Sequence, residues 1–233
     1  AIYPRSVVGS VNVYKRQVRS SEKDVEEFNK SLRLLEENLL KYTTADVLVF
    51  VEESFEKYKP KVETNLELLY QTIEFNLPDY PPEILDNIPE FYPHPTHGNG
   101  PIEWGHPGFT MGYRHMCRLF SGEIYKFPVV QKYEYYIRLD TDSFIHTPLG
   151  YDIFKWAKDN ECWYGYVAPA VQQDNKKVVE GLWDFVNSIY PNDIPDRWMY
   201  YTNWELGKVD WFLTSEYITF YNMIDDNGGI YTK

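Results

Sequence analysis

Apolar residues follow a helical spacing in some stretches of the chain and an extended spacing in others, and the two alternate from the N-terminus onward. Valines concentrated between Ser6 and Tyr14 predict a first strand. Ser21, with Asp24 three residues later, resembles a helix-opening capping box. The helix that follows carries one apolar stripe, formed by Val25, Phe28, Leu32, Leu35 and Leu39. The continuous apolar run Ala45–Val51 predicts a buried parallel strand, which completes a βαβ unit.

The pattern becomes irregular after this unit. Leu66–Gln71 is predicted to close a second helix, and Thr72–Phe75 to form a short strand. Eight prolines then fall between residues 76 and 108, where they interrupt any regular element. Because this stretch also carries apolar and aromatic side chains, we interpret residues 76–110 as a long ordered loop of the kind that serves as a lid or substrate wall.

Regular elements return in the C-terminal half of the chain. The spacing predicts one strand, Cys162–Val167, and four helices: Tyr113–Tyr125, Tyr151–Ala157, Val178–Tyr190 and Ser215–Ile224. With the N-terminal unit, these elements predict an α/β fold whose mostly parallel central sheet is flanked by helices. Ligands are then expected at the carboxyl ends of the strands.

One further strand candidate ends in two acidic residues. Asp140 and Asp142 follow directly after apolar and aromatic residues, namely Tyr135, Tyr136, Ile137 and Leu139. Carboxylates at the end of a buried strand are costly unless they face a cleft and meet a cation. Their hard oxygen atoms suit Mg²⁺ or Mn²⁺, so the pattern favours a metal site. The alternative is an Asp-rich turn, in which Asp140 or Asp142 caps the following backbone.

Composition narrows the classes of ligand. A net charge of −12 argues against nucleic acid or an anionic membrane surface as partner. No apolar run in the sequence is long enough to span a bilayer. Aromatic residues make up 18% of the chain, and since exposed aromatic rings stack on sugars, a carbohydrate ligand is compatible with the composition. Cys117 and Cys162 either form one disulfide or stay reduced.

Several short motifs follow one another in the C-terminal half: Tyr113-Arg114-His115-Met116-Cys117-Arg118, Ser121-Gly122, Gln131-Lys132-Tyr133, the Tyr-Tyr-x-Arg-x-Asp-x-Asp strand, Asn203-Trp204-Glu205 and Gly228-Gly229-Ile230-Tyr231. In type and order they resemble the motifs of the fungal Golgi α-1,2-mannosyltransferases. The resemblance is clear from about Ile102 to the end and weak before it.

This resemblance implies a GT-A-like fold, as in other nucleotide-diphospho-sugar transferases, and residence in the Golgi lumen. It implies GDP-mannose as donor, Mn²⁺ (or Mg²⁺) as cofactor, and a glycan or glycoprotein as acceptor of α-mannose, transferred with retention of configuration. We accordingly expect a single domain over residues 1–233. Residues 1–75 would form its nucleotide-binding part, 76–110 the proline-rich loop, and 111–233 the metal and acceptor part.

The resemblance also assigns roles to individual residues. Asp142 is predicted to be the direct metal ligand, while Asp140 binds the metal directly or contacts it through water or the donor ribose. Glu205 matches the carboxylate near the anomeric carbon, as nucleophile or electrostatic stabiliser. Tyr113 matches a tyrosine that lines the active site. Without the resemblance, Glu205 is more simply a surface or capping residue and Tyr113 a packed aromatic. Arg138, inside a buried strand, requires either a carboxylate partner or the donor diphosphate.

Two departures from the family pattern leave an alternative function open. Asp140-Thr141-Asp142 stands where the family has Glu-Pro-Asp, which shortens one side chain and removes a proline. The family continues with an Arg-Trp-Gly-Asp segment and a metal-binding His, so a sequence that stops at Lys233 is expected to be C-terminally incomplete. The alternative is therefore a catalytically silent relative that binds sugar or nucleotide sugar. A phosphatase of the haloacid dehalogenase type is disfavoured, since its motif begins the domain whereas Asp140 lies beyond the midpoint.

Overall fold

The computed structural model describes residues 6–8, 22–89, 111–167, 171–173, 179, 181–191, 198–200 and 203–232. The strands in these ranges are β1 (Ser6–Val8), β2 (Ala45–Val51), β3 (Leu68–Thr72), β4 (Tyr135–Leu139), β5 (Tyr164–Tyr166), β6 (Val171–Gln173), β7 (Trp198–Tyr200) and β8 (Trp204–Lys208). Six of them form a sheet in the order β3-β2-β1-β4-β8-β5, while β6 and β7 pair separately. The first four strands of the sheet are mutually parallel, and β8 is antiparallel to both β4 and β5.

The helices of the described ranges are α1 (Glu22–Leu35), α2 (Pro82–Leu85), α3 (Met111–Ser121), α4 (Ile153–Asp159), α5 (Leu182–Ile189), α6 (Val209–Phe212), α7 (Ser215–Asn227) and α8 (Gly229–Thr232). A π-helical turn, Glu36–Leu40, prolongs α1. Side chains cap the N-termini of α4 and α7. The Asp152 carboxylate accepts hydrogen bonds from two backbone N–H groups of α4, and the Thr214 hydroxyl accepts one from α7. Gly228, at φ +68°, ends α7 in the left-handed conformation.

The alternation of side chains along the strands builds a separate core on each face of the sheet. In β2, Val47, Val49 and Val51 pack with α1 and α4, whereas Leu48 and Phe50 pack with α3 and α6. The predicted stripe of α1 and its extension is buried against the first of these cores, with each of its five side chains at most 4% exposed. The sheet is thus covered on both faces, as expected for an α/β fold.

The strand order places a switch in chain direction between β1 and β4. The chain proceeds from β1 outward through β2 and β3, then returns to add β4 on the other side of β1. In open α/β sheets the crevice at such a switch, outside the carboxyl ends of the strands, is where ligands bind. Asp140 follows the last residue of β4 and therefore lies at this edge.

Several predicted elements are confirmed. The strand Ala45–Val51 has the predicted bounds, and β1 (Ser6–Val8) falls within the predicted first strand. Residues 9–14 and Ser21 lie outside the described residues. The helices predicted around residues 113–125, 151–157, 178–190 and 215–224 appear as α3, α4, α5 and α7 with shifted ends. Cys162–Val167 contains the shorter strand β5.

Other predictions were wrong. Leu66–Gln71 does not close a helix, because Leu68–Thr72 pairs in parallel with β2, and Thr72–Phe75 is not a separate strand. A short apolar run has no periodicity that separates the two structures, so the partner strand decides. The proline-rich stretch contains the helix α2, since a proline fits the first turn of a helix; residues 90–110 lie outside the described residues.

For Cys117 and Cys162 both states were left open, and the structure has the reduced one, with two free thiols.

Candidate functional site

Tyr136, Arg138 and Glu205 form a polar cluster on the face of the sheet that packs against α3. The alternation of side chains along β4 places Tyr136 and Arg138 there. Tyr136 and Arg138 project to that face, whereas Tyr135, Ile137 and Leu139 enter the opposite core. Arg138 is directly opposite Glu205 in the antiparallel pairing of β4 with β8, so the two side chains share one face. The pairing unites two motifs that are far apart in the sequence.

The guanidinium of Arg138 lies between two carboxylates. Its Nη1 is 3.9 Å from Glu205 Oε2, its Nη2 is 3.7 Å from Asp140 Oδ1, and its side chain is 12% exposed. The Phe120 ring lies 4.3 Å below the guanidinium carbon, within the range of a cation–π contact. Burial opposes the charged form, but Glu205 and Asp140 outweigh it and raise the pKa of Arg138. Of the two kinds of partner left open for Arg138, the structure shows carboxylates, those of Asp140 and Glu205.

Two phenols hold the carboxylate of Glu205. Tyr136 donates to Oε1 and Tyr164 to Oε2, each at 2.9 Å, and the Tyr136 hydroxyl is 2.6 Å from that of Tyr125. Burial and the nearby charge of Glu205 raise the pKa of Tyr164, so its hydroxyl keeps the proton that it donates. Glu205 is 5% exposed. It is thus neither a surface residue nor a helix cap, but a buried carboxylate with a fixed orientation.

Asp140 and Asp142 lie at the carboxyl end of β4. Asp140 is 9% exposed and Asp142 half-buried. The backbone N–H of Asp140 donates to the carbonyl of Asn203 at 3.3 Å, which continues the pairing of β4 with β8 by one position. This hydrogen bond fixes the position of Asp140 next to the residue that opens the Asn203-Trp204-Glu205 motif.

The donor atoms at this edge fit a hard divalent cation that keeps open positions for its substrate. Asp140 and Asp142 supply carboxylate oxygens. The side-chain oxygen of Asn203 is buried and accepts no hydrogen bond within the described ranges, so another hard donor is present. Among the described residues, no three His, Cys, Asp or Glu side chains are close enough together to hold a metal ion. The two carboxylates and the Asn203 oxygen are thus the hard donors that the described residues offer at this edge.

Helix α3 brings Tyr113 and Cys117 to the same region. Cys117 forms a side-chain hydrogen bond with Tyr113, four residues earlier. Burial raises the pKa of the Cys117 thiol to about 11, an effect that Arg138 and Tyr113 oppose and Asp140 reinforces. Since the charges of Arg138 and Asp140 act on Cys117, this part of α3 faces the polar cluster. Tyr113 is half-buried and packs against the adjoining core.

The remaining basic motif residues of α3 lie outside this cluster. Arg114 donates to the backbone carbonyls of Tyr231 and Pro89. Arg118 donates to both oxygens of Asp225 at 2.7 and 2.8 Å. The sequence leaves a carboxylate partner or a diphosphate open for these two arginines as it does for Arg138, and these contacts favour a structural role in joining α3 to other parts of the chain.

Comparison with known proteins identifies the family. Residues 17–196 match the sequence model of the glycolipid 2-alpha-mannosyltransferases. The chain belongs to this family. The match takes in α1, β2 and β3, where the motifs gave only a weak resemblance, and stops before β8. Glu205 therefore lies outside the matched range, and its catalytic role stays a prediction from the Asn203-Trp204-Glu205 motif.

Individual relatives are mannosyltransferases of fungi. The probable mannosyltransferase KTR3 of Saccharomyces cerevisiae is 30% identical over 141 residues, which cover 53% of this chain and 35% of the relative. The O-glycoside alpha-1,2-mannosyltransferase omh1 of Schizosaccharomyces pombe is 28% identical over 138 residues, or 51% and 35%. The chain thus spans about a third of the length of the curated relatives it matches.

Solved structures establish the fold. The Mn/GDP form of core-mannan synthase A (Ktr4) from Aspergillus fumigatus has a TM-score of 0.73 at 19% identity, covering 98% of this chain and 66% of that one. The mannosyltransferase Ktr4p of S. cerevisiae has a TM-score of 0.72 at 22% identity, covering 99% and 62%. The fold is of the GT-A type, as predicted. Within the described ranges, every helix is too short or too polar to cross a bilayer.

Proposed function

We propose that this chain is part of a metal-dependent, retaining glycosyltransferase that transfers α-mannose from GDP-mannose to a glycan or glycoprotein. The observation that carries the proposal is the arrangement across β4 and β8, in which Asp140 and Asp142 follow β4 and Glu205 lies on β8, with Arg138 between them. Family membership and the Mn/GDP form of the Aspergillus neighbour support the choice of metal and nucleotide.

In this proposal Asp142 binds Mn²⁺ or Mg²⁺ directly, and Asp140 binds it directly or through water or ribose. The bound cation would neutralise the negative charge that develops on the departing diphosphate. Arg138, 3.7 Å from Asp140, adds positive charge beside the donor phosphates. Tyr113 lines the same region from α3.

Glu205, opposite Arg138 on β8, supplies the carboxylate near the anomeric carbon. An oxocarbenium-like transition state carries positive charge at the anomeric carbon, and a carboxylate close to it lowers the barrier as nucleophile or as electrostatic stabiliser. Tyr136 and Tyr164 hold the two oxygens of Glu205 in one orientation. This preorganisation means that the carboxylate need not reorient when charge develops.

One observation favours a second candidate, a catalytically silent relative that binds nucleotide sugar. Glu205 is only 5% exposed, and its contacts with Tyr136, Tyr164 and Arg138 are also those of a structural carboxylate. In that case the site would bind the donor without releasing mannose. For either candidate we propose the Golgi lumen as the location, because the motifs resemble those of Golgi enzymes and the fungal relatives are mannosyltransferases.

The first experiment measures thermal unfolding with GDP-mannose, GDP, UDP-glucose and UDP, each with and without Mn²⁺. A ligand that binds only the folded state raises the melting temperature. We expect a shift with GDP compounds that requires Mn²⁺, and we expect Asp142→Ala to remove it. The matched control is Asp159→Asn, because Asp159 is an exposed acidic residue on α4. This variant should keep the shift in melting temperature.

Turnover then separates the two candidates. Wild type should release mannose from GDP-mannose in the presence of Mn²⁺, whereas Glu205→Gln should bind GDP with unchanged affinity and lose at least about 100-fold in kcat. Binding without release in the wild type would support the silent relative. A shift with UDP compounds alone would overturn the mannose assignment, and the absence of any shift would overturn both candidates.

A further inference from the structure

The turn that carries Asp142 is hydrogen-bonded to helix α1. The backbone N–H of Ser143 donates to the carbonyl of Asp140 at 2.8 Å, which closes a turn with Thr141 and Asp142 at its two corner positions. The buried hydroxyl of Ser31, on α1, donates to the carbonyl of Ser143 at 3.0 Å. These two serines are 112 residues apart in the sequence, so the contact depends on the fold.

A second buried polar residue, Asn38, holds the segment that follows this turn. Its side-chain amide donates to the carbonyl of Ile145 at 2.7 Å, and its own carbonyl accepts from the N–H of Leu149 at 3.0 Å. Asn38 lies in the π-helical turn that prolongs α1, and such turns are frequent at functional sites. Ser31 and Asn38 are 5% and 7% exposed. Because buried polar groups cost free energy unless they are hydrogen-bonded, their bonds to residues 143–149 stabilise this arrangement.

Hydrogen bonds thus fix the backbone on both sides of Asp142. On the N-terminal side, Asp140 donates to the carbonyl of Asn203, and on the C-terminal side Ser31 holds Ser143. The carboxylate of Asp142 then moves mainly through its own side-chain torsions. A ligand whose position is set before the cation binds loses less freedom on binding. Residues that orient metal ligands from outside the coordination shell accordingly change metal affinity by about 10–100-fold.

We propose that Ser31, supported by Asn38, is a positioning residue for Asp142, and that it holds the turn in place for binding of a divalent cation. This inference rests on the proposed metal-dependent function. It adds a role for α1, which packs on the opposite face of the sheet from Arg138 and Glu205. Ser31 acts through the carbonyl of the residue that follows Asp142, and it contacts neither cation nor substrate.

The test compares Ser31→Ala with Thr43→Val. Thr43 is also 5% exposed, and its hydroxyl donates to Asp152 at 2.7 Å and accepts from the N–H of Ile153 at 3.2 Å, at the far end of the same connection. The Kd for Mn²⁺ in the presence of GDP is measured by electron paramagnetic resonance of the free ion. We expect Ser31→Ala to raise this Kd by about tenfold, and Thr43→Val to leave it within about twofold of wild type.

Urea denaturation of the same variants separates positioning from a general loss of stability. Each variant removes one buried hydroxyl, so we expect similar decreases in unfolding free energy and a change in the Mn²⁺ Kd for Ser31→Ala alone. At saturating Mn²⁺, the kcat for mannose release by Ser31→Ala should be within about threefold of wild type, because excess cation compensates for weaker binding.

The outcomes distinguish this inference from the proposed function. If wild type and Ser31→Ala bind Mn²⁺ with the same Kd, Ser31 is a structural anchor only and the inference is wrong. An equal rise in Kd for Ser31→Ala and Thr43→Val would also overturn it, because general loosening of the connection would then be the cause. If wild type does not bind Mn²⁺ with or without GDP, the proposed metal-dependent function fails, and this inference fails with it.

Discussion

At the scale of single residues, the orientation of Glu205 depends on a glycine, Gly207, that none of the motifs includes. Tyr136 reaches the carboxylate only because Gly207, two residues along β8, has no side chain. A Cβ atom added at Gly207 would overlap the Tyr136 ring and come within 2.7 Å of its hydroxyl oxygen. The glycine is therefore required by close approach and not by an unusual backbone angle.

We expect Gly207→Ala to displace the Tyr136 ring and weaken its hydrogen bond to Glu205. The free energy of unfolding should fall by about 1–3 kcal/mol, as for overpacking in a core, and the rate of mannose release should fall with it. Gly165→Ala is the matched control on the neighbouring strand, since its Cβ would meet Leu206 at an ordinary 3.5 Å. Equal unfolding free energies for the two variants, measured by chemical denaturation, would show that the ring moves without cost.

At the scale of secondary-structure elements, the pattern of apolar residues predicted the helices and strands whose own sequence decides their structure. The α1 stripe and the β2 run are continuous signals, and both are where the sequence places them. Trp204–Lys208 was not predicted as a strand, because Glu205, Gly207 and Lys208 weaken its β propensity. Its partner β4 lies far back in the sequence, and that pairing decides its structure. The same holds for β3, whose partner is β2.

An ion pair between Arg118 and Asp225 joins helices α3 and α7, and its contribution to stability can be measured. Their side chains are 18% and 12% exposed. Arg118→Met keeps much of the packing but leaves the Asp225 carboxylate without its two hydrogen bonds. We expect a loss of about 2–3 kcal/mol in unfolding free energy, less than for a fully buried pair because of partial solvent screening.

The control for this ion pair is Lys158→Met. Lys158 pairs with Glu134 at 2.8 Å, but its side chain is 55% exposed. Exposed pairs contribute little, so we expect a change below about 1 kcal/mol. Urea denaturation of both variants gives the comparison. A loss at Arg118 no larger than that at Lys158 would mean that packing alone joins the two helices.

At the scale of the whole molecule, the sequence identifies the acidic residues of the candidate site, and the structure shows how they are arranged. Asp140, Asp142 and Glu205 were recognisable from motifs, but only the pairing of β4 with β8 shows that Arg138 connects them. The exposed tyrosines Tyr166 and Tyr200 were anticipated only as a high aromatic content. They lie on three-residue strands, which are too short for periodicity to detect.

We expect the free energy of unfolding of the whole fold to fall in acid, and we expect His115 to cause part of this loss. The His115 ring stacks on Phe75, and its Nδ1 is 2.8 Å from the Tyr231 hydroxyl, so it connects α3 to α8. Burial, with added repulsion from Arg118 and Arg114, lowers the pKa of His115 to about 4.

An unfolded histidine titrates near pH ~6.5, so below that pH the unfolded state binds a proton that the folded state does not. The stability contributed by neutral His115 is thus complete above about pH 6.5 and is lost as the pH falls towards 4. Between about pH 7 and about pH 5, His115→Gln should lose up to about 2 kcal/mol less unfolding free energy than wild type. His146→Gln, at an exposed histidine, is the control. The unfolding free energies are measured by urea denaturation at each pH. If those of wild type and His115→Gln fall by the same amount, groups other than His115 cause the loss of stability in acid.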